Sequence, residues 1–471
     1  MKWKTTLLLL IATVGIGTYI SRYEIRQPTL EEQARRSQRV LNIPQDAVTQ
    51  LQFRLPSATL TFARADATWT LAPHSVRADD MRIAQLLSQL EPLEALRVLS
   101  GSANKPLELK SYGLDPAVGE IICTARGTPT TLLIGSATPV HKNRYAKLAN
   151  RPEVFVIEGS LFDSANQSAD TFRDPLLLHV NSSLVDAITL TTPTTAWTLT
   201  QRDHTWRLTQ PLTDRASQSN VDALTNGLGD LHIKRFINDT PAVEQLTTWG
   251  LDQPTAEIHI HQSGGTTRQV TLFFGKPLPE DHSLVYAKRS DELSLYAVSE
   301  ADVVALLKDL QQLREKTCFH FTTDHVTKLA VTQGETHWTI ERTGASWREA
   351  GGTSSALDTG QVEHWLNQVA ELQLRGFIAE AETNRSRFGL APPKGVIAIW
   401  TRESTTPQQL FIGHAIGEST DRYGHIEGRT DFVKLPAAVT ALLAMTPAQL
   451  RTPLPPAPPQ HSPENENEPE P

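Results

Sequence analysis

Cys318, His320 and His325 are the local group with the clearest capacity for chemistry. A Cys-x-His-x4-His arrangement offers three soft or borderline donors of the kind that hold zinc. The same alternation also places Cys318 and His320 on one strand face, with His325 in or just past the next turn, so no metal site is assigned. Trp69, Trp206 and Trp347 could stack on a sugar or a base, yet their recurrence at equivalent places is what a buried core requires. Asp79, Asp80 and Asp222 stand near expected helix starts, where carboxylates cap or favour the positive helix end. A glycosidase would need two carboxylates converging across a cleft. The zinc-protease histidine pair, the nucleophile elbow, the phosphate-loop lysine and paired Cys-x-x-Cys units do not occur. No catalytic, cofactor-binding or metal-ligating residue is therefore assigned.

The elements that carry these residues are set by length and composition. At 471 residues the chain exceeds what one core supports, so several domains are expected. Hydrophobic residues at 39% and charged residues at 20% describe a folded body and not a polytopic membrane protein. The formal charge of -8 argues against broad nucleic-acid backbone binding, which relies on a basic footprint. Cys123 and Cys318, the two cysteines, lie too far apart in sequence for a small disulfide scaffold. They read as buried thiols.

At the amino end Lys2 and Lys4 precede an apolar run from Leu7 to Ile20. The 16 positions from Thr5 to Ile20 are short for a span but workable with snorkelling of Lys4 and Arg22. The early lysines favour an N-in orientation. A cleaved signal peptide is the competing reading, but no clear small-x-small cleavage box follows, so residues 1–22 are expected to be an uncleaved anchor and 23–43 a polar stalk. The folded body then lies outside the cytoplasm.

Internal repetition organises the rest. Trp69, Trp206 and Trp347 are followed by Tyr112-Gly113-Leu114, Trp249-Gly250-Leu251 and Phe388-Gly389-Leu390, and these by glycines that end apolar strands, Gly135, Gly275 and Gly413. The first spacing, tryptophan to glycine, is 44, 44 and 42 residues, and the second, glycine to glycine, is 22, 25 and 24. The expected fold class is α+β: three tandem divergent modules of mixed, antiparallel-rich sheet with packed helices, after the transmembrane helix. The modules fall at 44–180, 181–321 and 322–448. Helices are expected at Asp80–Leu90, 220–228 and 359–369, where apolar residues recur at helical spacing. Each aromatic-Gly-Leu tripeptide reads as a helix end with its glycine in the left-handed region and its leucine folded back. Residues 449–471 form a Pro/Glu-rich tail. From Pro453 it has eight prolines and four glutamates, a composition that cannot offset the entropy of ordering.

Taken together, Trp69, Tyr112-Gly113-Leu114-Asp115-Pro116, Leu133-Ile134-Gly135, Tyr145, Val154-Phe155-Val156 and Phe172-Arg173-Asp174 resemble the DUF4340 family. Trp249-Gly250-Leu251 and Leu313-Arg314-Glu315-Lys316 continue the likeness. In the third module Phe388 replaces tyrosine, and the closing Leu-Arg-x-Lys signature is not evident near Leu450-Arg451. The resemblance implies a single-pass protein of the bacterial inner membrane with its body in the periplasm. It also implies an envelope partner, with ABC-transporter components of the gliding-motility type as the suggested class. It carries no cofactor and no catalytic residue. The expected function is a non-enzymatic envelope scaffold; an anchored hydrolase of an envelope polymer and an extracytoplasmic ligand-binding protein are the alternatives.

Overall fold

The computed structural model describes residues 38–102, 106–139, 142–264, 267–351, 357–378 and 384–451. The expected anchor 1–22, most of the stalk and the tail beyond Arg451 lie outside the described residues. Among the described residues no helix is long and apolar enough to cross a membrane.

Among the described residues three antiparallel sheets follow one another along the chain, of nine, nine and eight strands. In the first, a meander of Val48–Arg54, Thr59–Ala65, Thr68–Leu71 and Val76–Arg77 adjoins a second meander, Gly119–Ala125, Thr128–Ala137, Arg144–Leu148 and Val154–Ile157. The two meet where Val48–Arg54 pairs with Gly119–Ala125, and the short strand Arg97–Leu99 closes the far edge. The second sheet repeats this order with Val185–Thr191, Ala196–Arg202, Thr205–Gln210 and Asp214–Arg215, then Ala256–Gln262, Arg268–Leu278, Asp281–Arg289 and Leu295–Ser299, with Ile233–Asn238 at the edge. The third has Val326–Gln333, Thr336–Thr343 and Ser346–Glu349, then Gly395–Thr401, Ser404–Ala415, Arg422–Ile426 and Phe432–Leu435, with Gly376–Phe377 at the edge.

Alternating burial fixes which face of each strand points inward. In Val48–Arg54 the buried residues are Val48, Leu51 and Phe53, and in Thr59–Ala65 they are Leu60 and Phe62. The helix Asp80–Leu90 supplies Ile83, Leu86, Leu87 and Leu90 to the same core, and Asp79 caps it by accepting from the N–H groups of Met81 and Arg82. Gln218–Gly229 and Thr359–Ala370 occupy the matching places, the latter burying Val362, Trp365, Leu366 and Val369. Trp69, Trp206 and Trp347 are buried, each within a strand that starts just after a turn.

The tripeptides end their segments as a left-handed cap. Gly113, Gly250 and Gly389 have φ of 65°, 68° and 68°, and Leu114, Leu251 and Leu390 are buried. The Leu114 N–H bonds Leu109 O at 3.0 Å and the Gly113 N–H bonds Lys110 O at 3.0 Å, the paired pattern of a Schellman cap. Leu251 to Leu246 and Leu390 to Arg385 repeat it at 2.8 and 2.9 Å. The segments differ in what they cap: a 3-10 turn at Leu109–Tyr112, an α-turn at Leu246–Trp249, and in the third sheet a plain turn.

Gly135, Gly275 and Gly413 do not end their strands, as was expected; each strand runs on, through a shift of register immediately after the glycine. A Cβ at these positions would stand 2.3, 2.2 and 2.0 Å from the carbonyl oxygens of Tyr112, Trp249 and Phe388. Both landmarks of the repeat are therefore halves of one close backbone contact. The capped aromatic rings also rest on a recurring tyrosine: Tyr112 on Tyr145 at 4.9 Å, Trp249 on Tyr286 at 6.1 Å, Phe388 on Tyr423 at 4.7 Å.

The third core extends past the expected start of the tail. Gln449–Arg451 is a 3-10 turn, and Leu450 is 1% exposed among the third sheet's apolar residues. By contact the chain divides into two compact units. One takes the described residues up to Val180 with Gly227–Glu257 and Val270–Val304; the other takes Asn181–Asn226, Ile258–Gln269 and the described residues from Ala305.

Candidate functional site

Buried charge is concentrated at two seams, each within one compact unit and each built around the arginine that closes a sheet. Arg173 follows the turn Ala169–Phe172, and Arg314 follows the helix Leu310–Leu313. Both segments are pinned by backbone bonds to the start of a long helix: Asp79 N–H to Phe172 O at 2.8 Å, and Ser217 N–H to Leu313 O at 2.7 Å. Each arginine then projects onto the edge strand of the following sheet. The Arg173 guanidinium lies 3.9 Å from the Phe236 ring centre and pairs with Asp239 at 2.5 Å, while Ser294 Oγ donates to the same carboxylate at 3.3 Å. Arg314 lies 3.6 Å from the Phe377 ring and pairs with Asp214 at 2.7 Å and Asp431 at 2.6 Å.

These side chains are 8% and 4% exposed. Placing a guanidinium so deep is costly unless carboxylates and an aromatic face replace its hydration. A planar fork meets two carboxylates and a ring together, which a lysine ammonium cannot.

A second layer of charge surrounds each arginine. In the first unit Arg77 pairs with Asp174 at 2.6 Å, donates to the carbonyls of Leu176 and Leu177, and approaches Glu292 at 3.5 Å. His179 Nε2 meets Asp174 at 2.7 Å. Burial works against the Asp174 carboxylate, but the hydrogen bond from His179 and the Arg77 charge hold it below the usual range. Arg289, 2% exposed, bonds Asp291 at 2.9 and 2.7 Å and the Leu177 carbonyl at 2.9 Å.

In the second unit the same positions carry Arg215, Glu315 and His320. Arg215 meets Glu315 at 3.4 Å, and His320 meets it at 3.3 Å. Burial raises Glu315, with Arg215 and Arg429 offsetting only part of the rise. Burial, and then the charges of Arg215 and Arg429, push His320 down to about 4. His320 is therefore neutral at pH 7, and its contact with Glu315 is a hydrogen-bonding distance between an imidazole and a carboxylate, not an ion pair. Where the first seam has Glu292, the second has Arg429, which pairs with Asp214 at 2.9 Å and donates to Glu315 O at 3.0 Å. Beside it opens a cleft of about 620 Å³, lined by Arg207, Arg215 and Arg429, by Asp214, Glu427 and Asp431, and by His320 and Gln408 among others.

The three candidate metal donors do not form a ligand set. Cys318 is buried, and burial pushes its thiol up to about 12. His320 faces Glu315, and His325 is paired with Glu403. Among the described residues no group of three or more His, Cys, Asp or Glu side chains could hold a metal ion. Of the carboxylates, Asp79 caps its helix, Asp80 accepts from the Trp69 backbone N–H at 2.8 Å, and Asp222 takes a bond from Gln218 at 2.7 Å. Cys123 is a free buried thiol, raised to about 11 by burial. Sequence reasoning found Arg173 and Arg314 only as motif letters and missed their receivers Phe236, Phe377, Asp239 and Asp431. The available signal was Arg77 and Arg215, which recur shortly after Trp69 and Trp206.

A family model described as a domain of unknown function, DUF4340, matches residues 69–246 and, again, 206–378. Each match contains one closing arginine and the ring it stacks on, Arg173 with Phe236 and then Arg314 with Phe377. No curated protein matches the chain. No solved structure matches it.

Proposed function

The chain belongs to the DUF4340 family, and on that premise we propose that it is a membrane-anchored scaffold whose folded body lies outside the cytoplasm and holds an envelope partner. Its modules are 44–180, 181–321 and 322–448, the last with its core continued through Leu450, carried on the anchor 1–22. The observation that carries this reading is the repeated seam, in which Arg173 and Arg314 each stack on the next sheet's phenylalanine and pair with its acid. Buried, many-partnered contacts of this kind fix a closing segment against the following edge strand within each compact unit, a local frame of the kind a scaffold offers a partner. ABC-transporter components are the partner class we favour. The cleft beside Arg429, which carries Arg207, Arg215 and Arg314 together with Asp214, Glu427 and Asp431, supports a second reading, an extracytoplasmic ligand-binding protein.

The test is chemical crosslinking in cells, detergent extraction and capture of the full-length chain, with partners identified by mass spectrometry. A stoichiometric integral membrane protein should be recovered, and it should be lost when Arg314→Met loosens the second seam. Enrichment of no membrane protein over a tag-only control would overturn the scaffold reading. A mature amino terminus near residue 20 would overturn the anchor.

A further inference from the structure

The first unit fills the place that stands open in the second. The turns after Tyr286 and Tyr423 have equal length up to Tyr296 and Val433, the residues opposite Phe236 and Phe377. Arg289, Asp291 and Glu292 therefore correspond to Ile426, Gly428 and Arg429. Arg77 and Arg215 correspond too, since each precedes the alanine that bonds the buried tryptophan's carbonyl, Ala78 N–H to Trp69 O at 2.9 Å and Ala216 N–H to Trp206 O at 3.0 Å. Leu177 and Cys318 match through their bonds to Leu231 O and Leu372 O. In the first unit the Glu292 carboxylate lies between two guanidinium groups, 3.5 Å from Arg77 and 3.4 Å from Arg289, and accepts from the Tyr296 hydroxyl at 2.8 Å. Arg289 reaches on to the Leu177 carbonyl. The cleft of the second unit is bounded by the corresponding residues, Arg215, Cys318, Ile426, Gly428 and Arg429. There the arginine that plugs the gap is an isoleucine, and the carboxylate that two arginines share is Arg429.

What remains is a set of donors without an acceptor. Arg207 stands opposite Arg215 in the strand register, a like-charged cross-strand pair that is unfavourable by itself. Among the described residues the exposed Arg207 side chain has no ion pair or hydrogen bond. Arg429 spends Nη2 on Asp214 and on the Glu315 carbonyl, while its Nη1 is buried with no hydrogen-bond partner. The acids of the cleft do not meet this need. Asp214 and Asp431 are drawn in by Arg314 at 2.7 and 2.6 Å, and Glu427 is exposed with no ion pair among the described residues. Glu315 meets Arg215 only through Nε, at 3.4 Å.

We infer that the cleft binds a small carboxylate-bearing ligand, whose carboxylate stands among Arg207, Arg215 and Arg429 as Glu292 stands between Arg77 and Arg289. This rests on the second reading above, a ligand-binding protein, and names the ligand's chemical class. A planar carboxylate matches the guanidinium fork, and it separates the two facing arginines from one another's charge. The volume of about 620 Å³ is that of a small-molecule site. Its lining includes Thr213, Thr317 and Thr430 but, among the described residues, no phenylalanine, tyrosine or tryptophan, which suits a hydrophilic body and not a flat ring.

Isothermal titration of the detergent-solubilised full chain with citrate tests this, with inorganic phosphate as a second anion and agmatine as a guanidinium probe. Citrate should bind saturably and less tightly as salt is raised. Arg207→Gln should weaken citrate about tenfold or more, as loss of a charge-assisted bond does, and Arg207→Lys should keep part of the affinity. Arg207 has no partner to lose, so both variants should melt with the parent chain. Agmatine or phosphate bound in preference to citrate would overturn the inference and leave the ligand-binding reading standing. Citrate binding that ignores Arg207→Gln would place the anion elsewhere and overturn it as well. Binding of none of the three would overturn it and remove the support for the ligand-binding reading too.

Discussion

Replacing Arg314 by methionine tests how much of the second unit depends on its seam. Methionine keeps the length and apolar stem but leaves Asp431, 2% exposed, and Asp214, 8% exposed, without their shared cation. Breaking a buried pair from one side typically costs about 3–5 kcal/mol, because the remaining charge stays buried. Loss of the stack on Phe377 at 3.6 Å is worth up to about 2 kcal/mol for a desolvated site, though part of it is contained in the first figure. We therefore expect about 4 kcal/mol, read as a lower urea midpoint by tryptophan fluorescence. Arg429 still faces Asp214 at 2.9 Å, so most of the loss should come from Asp431. Adding Asp431→Leu to Arg314→Met should recover most of the stability, as apolar replacement of a whole buried pair is often neutral. A loss below about 1 kcal/mol in Arg314→Met, or no recovery in the double variant, would refute the argument that the seam is a desolvated pair.

Three further outcomes are expected. Gly135→Ala should destabilise more than Gly127→Ala: its Cβ meets the Tyr112 carbonyl at 2.3 Å, while Gly127, φ 79°, opens onto free space and carries only the left-handed penalty of about 1–2 kcal/mol; equal urea midpoints would sink the close-contact account. His320, held near 4 by burial and then by Arg215 and Arg429, is depressed below its unfolded value, so the unfolded chain binds the extra proton between about pH 6.5 and 4 and stability falls as pH falls through that window. With its side chain 35% exposed the effect is discounted to about 1–2 kcal/mol, and His320→Gln should flatten that part of the unfolding–pH curve; an unchanged curve would contradict it. A chain ending at Ala448 should lose about 2–5 kcal/mol relative to one ending at Arg451, because Leu450 leaves a filled core; equal melting temperatures would place that core elsewhere.

Periodicity and turn chemistry made the architecture readable, because each is a local property. The helix at Asp80–Leu90 shows in the spacing of Ile83, Leu86, Leu87 and Leu90, and the caps show in Gly113, Gly250 and Gly389. The partner of Gly135 was not readable, since the Tyr112 carbonyl that forbids a side chain there belongs to the backbone and leaves no letter of its own. The seams were hidden for a related reason. Arg173 finds Phe236 and Asp239 across a fold-determined gap, and the second seam moves its acids to Asp214 and Asp431 while exchanging Glu292 for Arg429. Such exchange of charge between positions conserves the interaction but not the pattern. The candidate metal donors failed in the opposite direction, as neighbours in sequence whose side chains were claimed by Glu315, Glu403 and the core.

The two cysteines divide between the two compact units: Cys123 lies in one and Cys318 in the other. Both thiols are shielded, and both are held protonated by burial, at about 11 and about 12. An alkylating reagent needs thiolate and access together, so each sulfur should react only while its own surroundings are open. The native chain thus contains one silent probe per unit, with no engineered label required. Timed alkylation followed by peptide mass spectrometry would count opening events at the two sites separately, and would show whether disturbing one seam is felt at the other.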